Sequence, residues 1–233
     1  MLERLERLQQ LRGAAAQRNG QGADFESRVK AVKLWQQQRL ARCYADLAAD
    51  VRYIPAVAFF LDEIYGIKDS TVRDRDLVRM YPTIKRIFPK IAFDACDKAL
   101  ELDVLSEEFD QAIAVALGSQ PLTEANYLKA FRAVDRQQDR LRQIVLMQAV
   151  GEALDNMVQK PLLYATLKML HGPAQMVGLG AMQQFLETGF SAFRHMKRAD
   201  HFLATIAYRE RVLIERIMQG EPAPFSIIEE WNS

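Results

Sequence analysis

The sequence predicts an all-α protein, and three observations support that prediction. Apolar residues recur at intervals of three and four over most of the 233 residues, as along Val29, Val32, Leu40 and Cys43. No segment alternates apolar and polar residues for long enough to form a strand. Helix start and end signals recur between the periodic segments. We therefore predict one bundle-like domain of about nine helices.

The N-terminal segment predicts a short helix of its own. Leucines recur every three residues from Leu2 to Leu11, and Gly13, Gly20 and Gly22 follow. Such a helix is too short to be stable alone, so it must either fray or dock. We expect residues 1–22 to be a short helix and a flexible linker attached to the main domain.

Residues 23–220 are predicted to be a single helical domain, followed by a C-terminal tail over residues 221–233. No change in composition marks a boundary within residues 23–220, and no repeat of 20 to 50 residues is evident. The tail has no clear periodicity and is expected to lie extended against the domain.

Several helix boundaries follow from capping signals. Asp24 is placed to cap a long helix, and Pro55 and Gly66 are placed to begin and end the next one. Ser106 is predicted to start a further helix, and Thr123 to cap the one after it.

The second half of the chain predicts longer helices. The helix from about residue 136 to 159 has apolar residues on two faces, so it should be the central helix, covered on both sides. Pro161 begins another helix, and two more follow over about residues 180–196 and 199–218. Residues 67–90 are expected to form an irregular connector interrupted by prolines.

Composition and charge exclude some classes of protein. The chain has 31 Lys and Arg against 30 Asp and Glu, a net charge of +1, which argues against a nucleic-acid-binding protein. The start of the chain lacks the pattern of a secretory signal, and no apolar run approaches the roughly 20 residues that span a bilayer. Cys43 and Cys96 lack metal-site spacing. We expect a cytoplasmic protein with reduced cysteines and no membrane segment.

Local charge is less even than the total. Residues 67–90 contain seven Lys or Arg and three Asp, for a charge of +4, and residues 91–120 contain one Lys and seven Asp or Glu, for −6. Neighbouring segments of opposite charge are expected to pair with each other.

One stretch is the most distinctive in the chain: Phe59-Phe-Leu-Asp-Glu-Ile-Tyr-Gly66, followed by Arg73-Asp-Arg-Asp76. With Ala99-Leu-Glu-Leu102 and Gln184-Phe-Leu-Glu-Thr-Gly-Phe190, it resembles an uncharacterised, all-helical family of bacterial proteins. The resemblance implies an all-helical fold over roughly residues 25–220, and it implies no activity, ligand or catalytic residue.

No local pattern encodes a metal or catalytic site. His171, His195 and His201 lack the acidic or histidine neighbours, three or four residues away, that place two ligands on one helical face. Gly178-Leu-Gly180 and Gly189-Phe-Ser-Ala-Phe193 are incomplete as nucleotide-binding and nucleophile motifs. We predict no metal site from these residues, and the cofactor is unknown.

The carboxylates Glu210 and Asp155 project into apolar stripes of their predicted helices, so both should be at least partly buried. A buried carboxylate needs a cation, a metal, hydrogen-bond donors or a proton. One interpretation joins Glu210, Asp155 and Glu152 into an oxygen-rich site for a metal or polar ligand. The other, favoured interpretation pairs them with Arg, Lys or Tyr side chains.

Asp62 and Glu63 are a second group of acids with two open interpretations. They face away from the apolar side of their helix, and Arg73, Arg75 and Arg79 follow within reach. We expect these acids and arginines to form a salt-bridged bracket that folds the connector back onto the helix. The alternative is that they form the rim of a binding pocket.

Two functional classes remain open from the sequence. The weakly favoured one is a non-enzymatic interaction or regulatory protein, with a protein partner or a second copy bound through helical surfaces. The alternative is a ligand-, metal- or cofactor-binding helical bundle, including an enzyme that uses buried carboxylates. Whether the chain is an enzyme is left undecided.

Overall fold

The computed structural model describes residues 1–17, 22–64, 76–79, 81–82, 85–86, 90–169, 171–176 and 180–226. These residues form 11 α-helices and no strand, so the predicted all-α, bundle-like fold is confirmed. The helices, in chain order, are α1 Leu2–Gln17, α2 Gly22–Cys43, α3 Ala45–Ala49, α4 Ile54–Phe59, α5 Lys90–Leu117, α6 Glu124–Val134, α7 Gln137–Val158, α8 Pro161–Met169, α9 His171–Met176, α10 Gly180–Met196 and α11 Asp200–Gln219.

Three helix boundaries differ from those that the sequence indicated. Helix α1 continues through Gly13, and α5 begins at Lys90 rather than at Ser106. Helix α2 begins at Gly22, so Asp24 lies in its first turn and does not cap it. The Ser106 hydroxyl donates a hydrogen bond to the carbonyl of Leu102, 2.8 Å away, within the same helix. It therefore bonds one turn back inside the helix and does not cap a new one. The predicted Thr123 cap is confirmed, since its side chain accepts from the Asn126 N–H at 3.3 Å.

Helix α7 is the central helix. It packs against α5, α10 and α11, and it buries apolar side chains such as Ile144, Leu146 and Met157 in different directions. Gly151 allows α11 to approach closely, because a Cβ at this position would lie 2.4 Å from Leu203 Cδ2. The predicted central helix is thus covered on more than one side.

The apolar core has two main clusters. One joins α2, α5, α6, α7 and α11 around side chains such as Phe25, Ile113 and Tyr127. The other joins α2, α3, α4, α7, α10 and α11 around Phe59 and Phe202. The first cluster also holds Phe225 of the tail, whose ring centroid lies 5.8 Å from that of Trp35. Residues 227–233 lie outside the described part of the tail.

Helix α1 docks on α5 through leucines. Leu5 and Leu8 are fully buried and pack against Leu100. This contact gives the N-terminal helix the stabilisation that it would lack in isolation. Residues 18–21 lie outside the described ranges, so the flexible linker and the boundary at residue 22 stay predictions.

The acidic face of α5 pairs with arginines of α1, and we call this set of pairs the α1–α5 seam. Its pairs are Arg4 with Asp97 and Glu101, Arg7 with Glu108, and Arg12 with Asp103 and Glu107. The sequence suggested the neighbouring basic segment over residues 67–90 as the partner, and most of that segment lies outside the described residues. All five acids pair with α1, and three of them also pair elsewhere: Glu101 with Arg142, Glu107 with Lys33 and Glu108 with Arg136.

None of the described helices is both long and apolar enough to cross a membrane.

Candidate ligand-binding cavity

A cavity of about 910 Å³ lies between α2, α5, α7, α10 and α11. Most of its wall is apolar, with side chains contributed by each of these helices. Examples are Leu40, Leu100, Ile144, Met147, Phe185 and Ile206. The volume lies near the upper end of the roughly 300–1,000 Å³ found for small-molecule sites in proteins.

A group of polar side chains lines this cavity, and we call it the polar centre. Five helices contribute Gln36, Arg39, Asp110, Tyr127, Arg140 and Glu210, and Tyr44 lies between α2 and α3. Arg140 and Glu210 are half-buried, and the other members are buried.

Arg39 and Glu210 form an ion pair that links α2 to α11. Arg39 Nη1 donates to Glu210 Oε1 and Nη2 to Oε2 at 3.2 Å, and the Tyr44 hydroxyl donates to Oε1 at 2.7 Å. Burial by itself would lower the pKa of Arg39, but the Glu210 carboxylate outweighs burial and raises it. The same burial and the same carboxylate raise the pKa of Tyr44. Arg39 Nε is buried and has no hydrogen-bond partner.

Asp110 is a buried acid with a neutral partner. Its Oδ1 accepts from Gln36 Nε2, and its side chain is 8% exposed. Burial raises the pKa of Asp110 to about 7, the Glu107 carboxylate adds to this, and Lys33 and Arg140 oppose it. Asp110 therefore gains and loses its proton near neutral pH.

Arg140 is held by aromatic rings. Its guanidinium carbon lies 3.6 Å from the ring centroid of Phe109 and 4.8 Å from that of Phe131, a cation–π arrangement. Nη1 donates to Gln143 Oε1 at 3.2 Å, whereas Nη2 is buried without a hydrogen-bond partner. Burial lowers the pKa of Arg140. None of the carboxylates in the described ranges forms an ion pair with it.

Glu210, Asp155 and Glu152, which the sequence grouped as one site, have different surroundings. Glu210 pairs with Arg39 and Tyr44 in the polar centre. Asp155 lies near the backbone N–H of Ala199, where burial raises its pKa, and Glu152 is exposed. Within the described part of the chain, no three His, Cys, Asp or Glu side chains gather as a metal ion would require. The three-acid site for a polar ligand stays a prediction.

The proposed bracket around Asp62 and Glu63 falls partly on residues outside the described ranges, namely Arg73 and Arg75. Of the described members, Asp62 is exposed, Glu63 contributes to the cavity wall, and Arg79 lies 3.7 Å from Asp76. The bracket stays a prediction.

Asp62 and Glu63 lie in a π-helical turn, Phe60–Ile64, that continues α4. Gln37 Nε2 of α2 donates to the carbonyl of Leu61 in this turn, at 2.7 Å. Phe59, before the turn, packs against Gly189 of α10, where a Cβ would lie 2.8 Å from the ring. The most distinctive stretch of the sequence thus forms part of the cavity wall.

Sequence reasoning missed Arg39, Asp110 and Arg140, although a signal for them was present. Arg39 lies on the stripe of Val29, Val32 and Cys43, and the same test applied to Asp110 and Arg140 places them near Ile113 and Ile144 on their own helices. Helical position, considered for cations as well as acids and on every helix, indicates all three as inward-facing charges.

A family model for a domain of unknown function, DUF8198, matches residues 15–224. The chain belongs to this family. The predicted resemblance to an uncharacterised family is therefore confirmed, whereas a bacterial origin stays a prediction. No curated protein and no solved structure matches the chain.

Proposed function

We propose that this member of the DUF8198 family binds a small molecule in its central cavity, and that the polar centre orients that molecule. The observation that carries the proposal is a largely apolar cavity of about 910 Å³ with buried charged groups in its wall. Small-molecule sites typically combine apolar walls with a few polar groups that fix orientation.

Buried polar groups without partners lower the free energy of unfolding, so stability alone does not explain the polar centre. Arg39 Nε and Arg140 Nη2 are both buried without a hydrogen-bond partner. Each such group costs about 1–3 kcal/mol, and buried ion pairs are often matched or exceeded in stability by apolar side chains of similar volume. A ligand that supplied acceptors would offset this cost, and this favours ligand binding over the interaction protein that the sequence alone favoured.

The segments that carried the resemblance support the same proposal. Phe59, Phe60 and Leu61 line the cavity. Residues 99–106 and 184–190 also contribute to its wall through Leu100 and Phe185. Three separate stretches of the sequence therefore converge on one space.

The proposal is tested by uptake of a neutral, apolar fluorophore, N-phenyl-1-naphthylamine. We expect saturable binding with one site per chain, accompanied by a blue shift of its emission. Met147→Trp places a larger side chain in the cavity wall and should abolish uptake. Val145→Trp is the matched control, because Val145 lies on the same helix and is 48% exposed. Equal uptake by both variants, or none by the unmodified protein, would overturn the proposal.

Native mass spectrometry of the purified protein provides a second test. A retained molecule should appear as an added mass that disappears in Met147→Trp and persists in Val145→Trp. An added mass present in both variants would place the molecule outside the cavity.

Protein association is a second candidate function, and exposed side chains on α8 and α9 favour it. Leu162, Met169 and Met176 are 81%, 78% and 82% exposed. Apolar side chains grouped at a surface often mark protein contacts. Light scattering coupled to size exclusion tests this candidate: a dimer that Leu162→Ser and Met169→Ser convert to a monomer would support it, and a monomeric unmodified protein would remove self-association.

A further inference from the structure

We infer that the ligand is an amphipathic monocarboxylate, with an apolar body along the cavity wall and a carboxylate head that pairs with Arg140. This inference rests on the proposed function and adds the chemical class of the ligand.

The cations of the cavity wall differ in whether a carboxylate of the protein pairs with them. Arg12, Lys30, Lys33 and Arg39 line the cavity, and each pairs with a carboxylate of the protein. Arg140 also lines it, and in the part of the chain that the structure describes it has no such pair. The cavity thus offers one cation without a direct ion pair, although Asp110 and Glu210 lie near enough to influence its pKa, and an anionic ligand would supply that pair.

The side chain of Arg140 is held in place by its neighbours before a ligand binds. Phe109 and Phe131 contact its guanidinium, and Gln143 holds Nη1. A side chain that is fixed before binding loses little conformational entropy when a ligand arrives. A guanidinium is also planar and matches the two oxygens of a carboxylate, with which it forms short, charge-assisted hydrogen bonds.

The acids of the polar centre favour a ligand head with a single negative charge. Asp110 and Glu210 lie in the same polar centre, so a doubly charged head such as a phosphate monoester would meet two acids as well as Arg140. A cationic head would meet Arg140 and Arg39. A carboxylate next to Arg140 adds one charge, and burial keeps Asp110 at least partly protonated near neutral pH, which lessens its repulsion.

The apolar body follows from the rest of the wall. Side chains from α2, α7, α10 and α11, such as Leu40, Met147, Phe185 and Ile206, contribute hydrocarbon to the cavity wall. Removing hydrocarbon from water stabilises a complex by about 25 cal/mol per Å² of buried area. A small hydrophilic acid would leave that contribution unused, whereas an acid with a long alkyl or ring system would gain it.

The experiment compares four ligands with the same ten-carbon chain: decanoate, decanol, decyltrimethylammonium and decyl phosphate. Each is tested for displacement of N-phenyl-1-naphthylamine from the full-length protein at roughly pH 7, where an alkyl carboxylate is ionised and an alkyl phosphate is mostly doubly charged. We expect decanoate to displace the fluorophore at a concentration roughly tenfold or more below that of decanol, as a charge-assisted hydrogen bond provides. The cation and the phosphate should bind more weakly than decanoate.

Arg140→Met tests whether Arg140 causes the preference for decanoate over decanol. It keeps an extended apolar side chain between the rings and should bring decanoate and decanol to within about twofold of each other. Arg140→Lys should retain part of the preference. Arg142→Met is the control, because Arg142 is 49% exposed and pairs with Glu101 on the outside of α7. It should leave the preference unchanged.

The thermal midpoint of unfolding distinguishes a ligand-binding role of Arg140 from a structural one. Because Arg140 lacks an ion pair, Arg140→Met should hold or raise the midpoint of the ligand-free protein. A large drop in the midpoint would show that Arg140 is a structural cation and would overturn the inference. A preference for decanol, or for decyl phosphate, would also overturn it while leaving the proposed function in place. Failure of the fluorophore itself to bind would instead reject the proposed function.

Discussion

Among the places where charged side chains meet in the described part of the chain, the α1–α5 seam and the polar centre differ in how completely the charges are paired. In the seam, three arginines of α1 face five carboxylates of α5, and most of the side chains are partly exposed. In the polar centre, Arg39 and Asp110 are each 8% exposed, and the pairing is incomplete.

The difference in pairing indicates a separate role for each region. Charges at a partly exposed contact cost little to place there, so the seam needs no explanation beyond docking. Buried charges cost several kcal/mol unless they are paired and hydrogen-bonded, so an incompletely satisfied set calls for a use. The contrast can be tested by substitutions in both regions, whose expected effects decrease from Glu210→Ala to Arg7→Ala.

The largest effect is expected from Glu210→Ala. This change leaves Arg39 buried and unpaired and removes the acceptor of the Tyr44 hydroxyl. Breaking one side of a buried pair costs about 3–5 kcal/mol. Urea unfolding of the purified variant measures the loss.

The control for this prediction removes both charges at once. Arg39→Met combined with Glu210→Leu should recover most of the stability, because neither charge is then left alone. If Glu210→Ala costs less than about 1 kcal/mol, the ion pair is not desolvated and the contrast with the seam fails.

In the seam, the leucines should matter more than the arginines. Leu8 is fully buried between α1 and α5, so Leu8→Ala should cost about 3 kcal/mol through lost burial and the cavity left behind. Leu2→Ala is a matched control on the same helix, since Leu2 is 37% exposed. Equal, small losses for both variants would mean that α1 does not dock in solution and is the flexible appendage that the sequence suggested.

Asp110 makes stability depend on pH in a direction that can be worked out. Its pKa is raised from 3.8 to about 7, mainly by burial, so the folded state holds more protons than the unfolded state between about pH 4 and pH 7. Stability therefore falls as pH rises through this window and levels off above it. Asp110→Asn removes this loss and should stabilise the protein near pH 8, by on the order of 2 kcal/mol, but not near pH 4.

Asp94→Asn is the control for the pH experiment, because Asp94 lies on the same helix and is exposed. Thermal midpoints measured from pH 4 to pH 8 compare the two variants. An Asp110→Asn midpoint that runs parallel to that of the unmodified protein would show that Asp110 is ionised throughout the range.

The fold was largely predictable because it depends on local patterns. The period of the apolar residues and caps such as Thr123 indicated the helices and the central position of α7. Ser106 misled because a serine hydroxyl bonds a helix carbonyl one turn back as readily as it caps a helix, and the sequence does not distinguish the two. Gly13 misled because one glycine costs a helix only about 1 kcal/mol, which the docking of Leu5 and Leu8 outweighs.

The site was predictable only in part, because it is made of contacts between distant helices. That Glu210 faces inward follows from its helical position, but its partners Arg39 and Tyr44 lie 171 and 166 residues earlier. Spacing within one helix carries no information about such pairs. Asp155 is half-buried and lies near Ala199. Helical position gives the face of a residue and not its height along the bundle, so it does not indicate which acids meet.

The smallest effect is expected from Arg7→Ala in the seam. Arg7 is 50% exposed and pairs with Glu108 at 2.9 Å, and Glu108 also accepts from Arg136 at 3.2 Å. Exposed pairs contribute about 0.2–1 kcal/mol, and here the second arginine still neutralises the acid, so the loss should lie at the lower end. Because salt screens exposed charges over about 10 Å at 0.1 M, the difference from the unmodified protein should vanish near 1 M salt, whereas the loss from Glu210→Ala should persist. Urea unfolding at both salt concentrations measures this, and a salt-independent loss above about 2 kcal/mol for Arg7→Ala would show that the seam is desolvated like the polar centre.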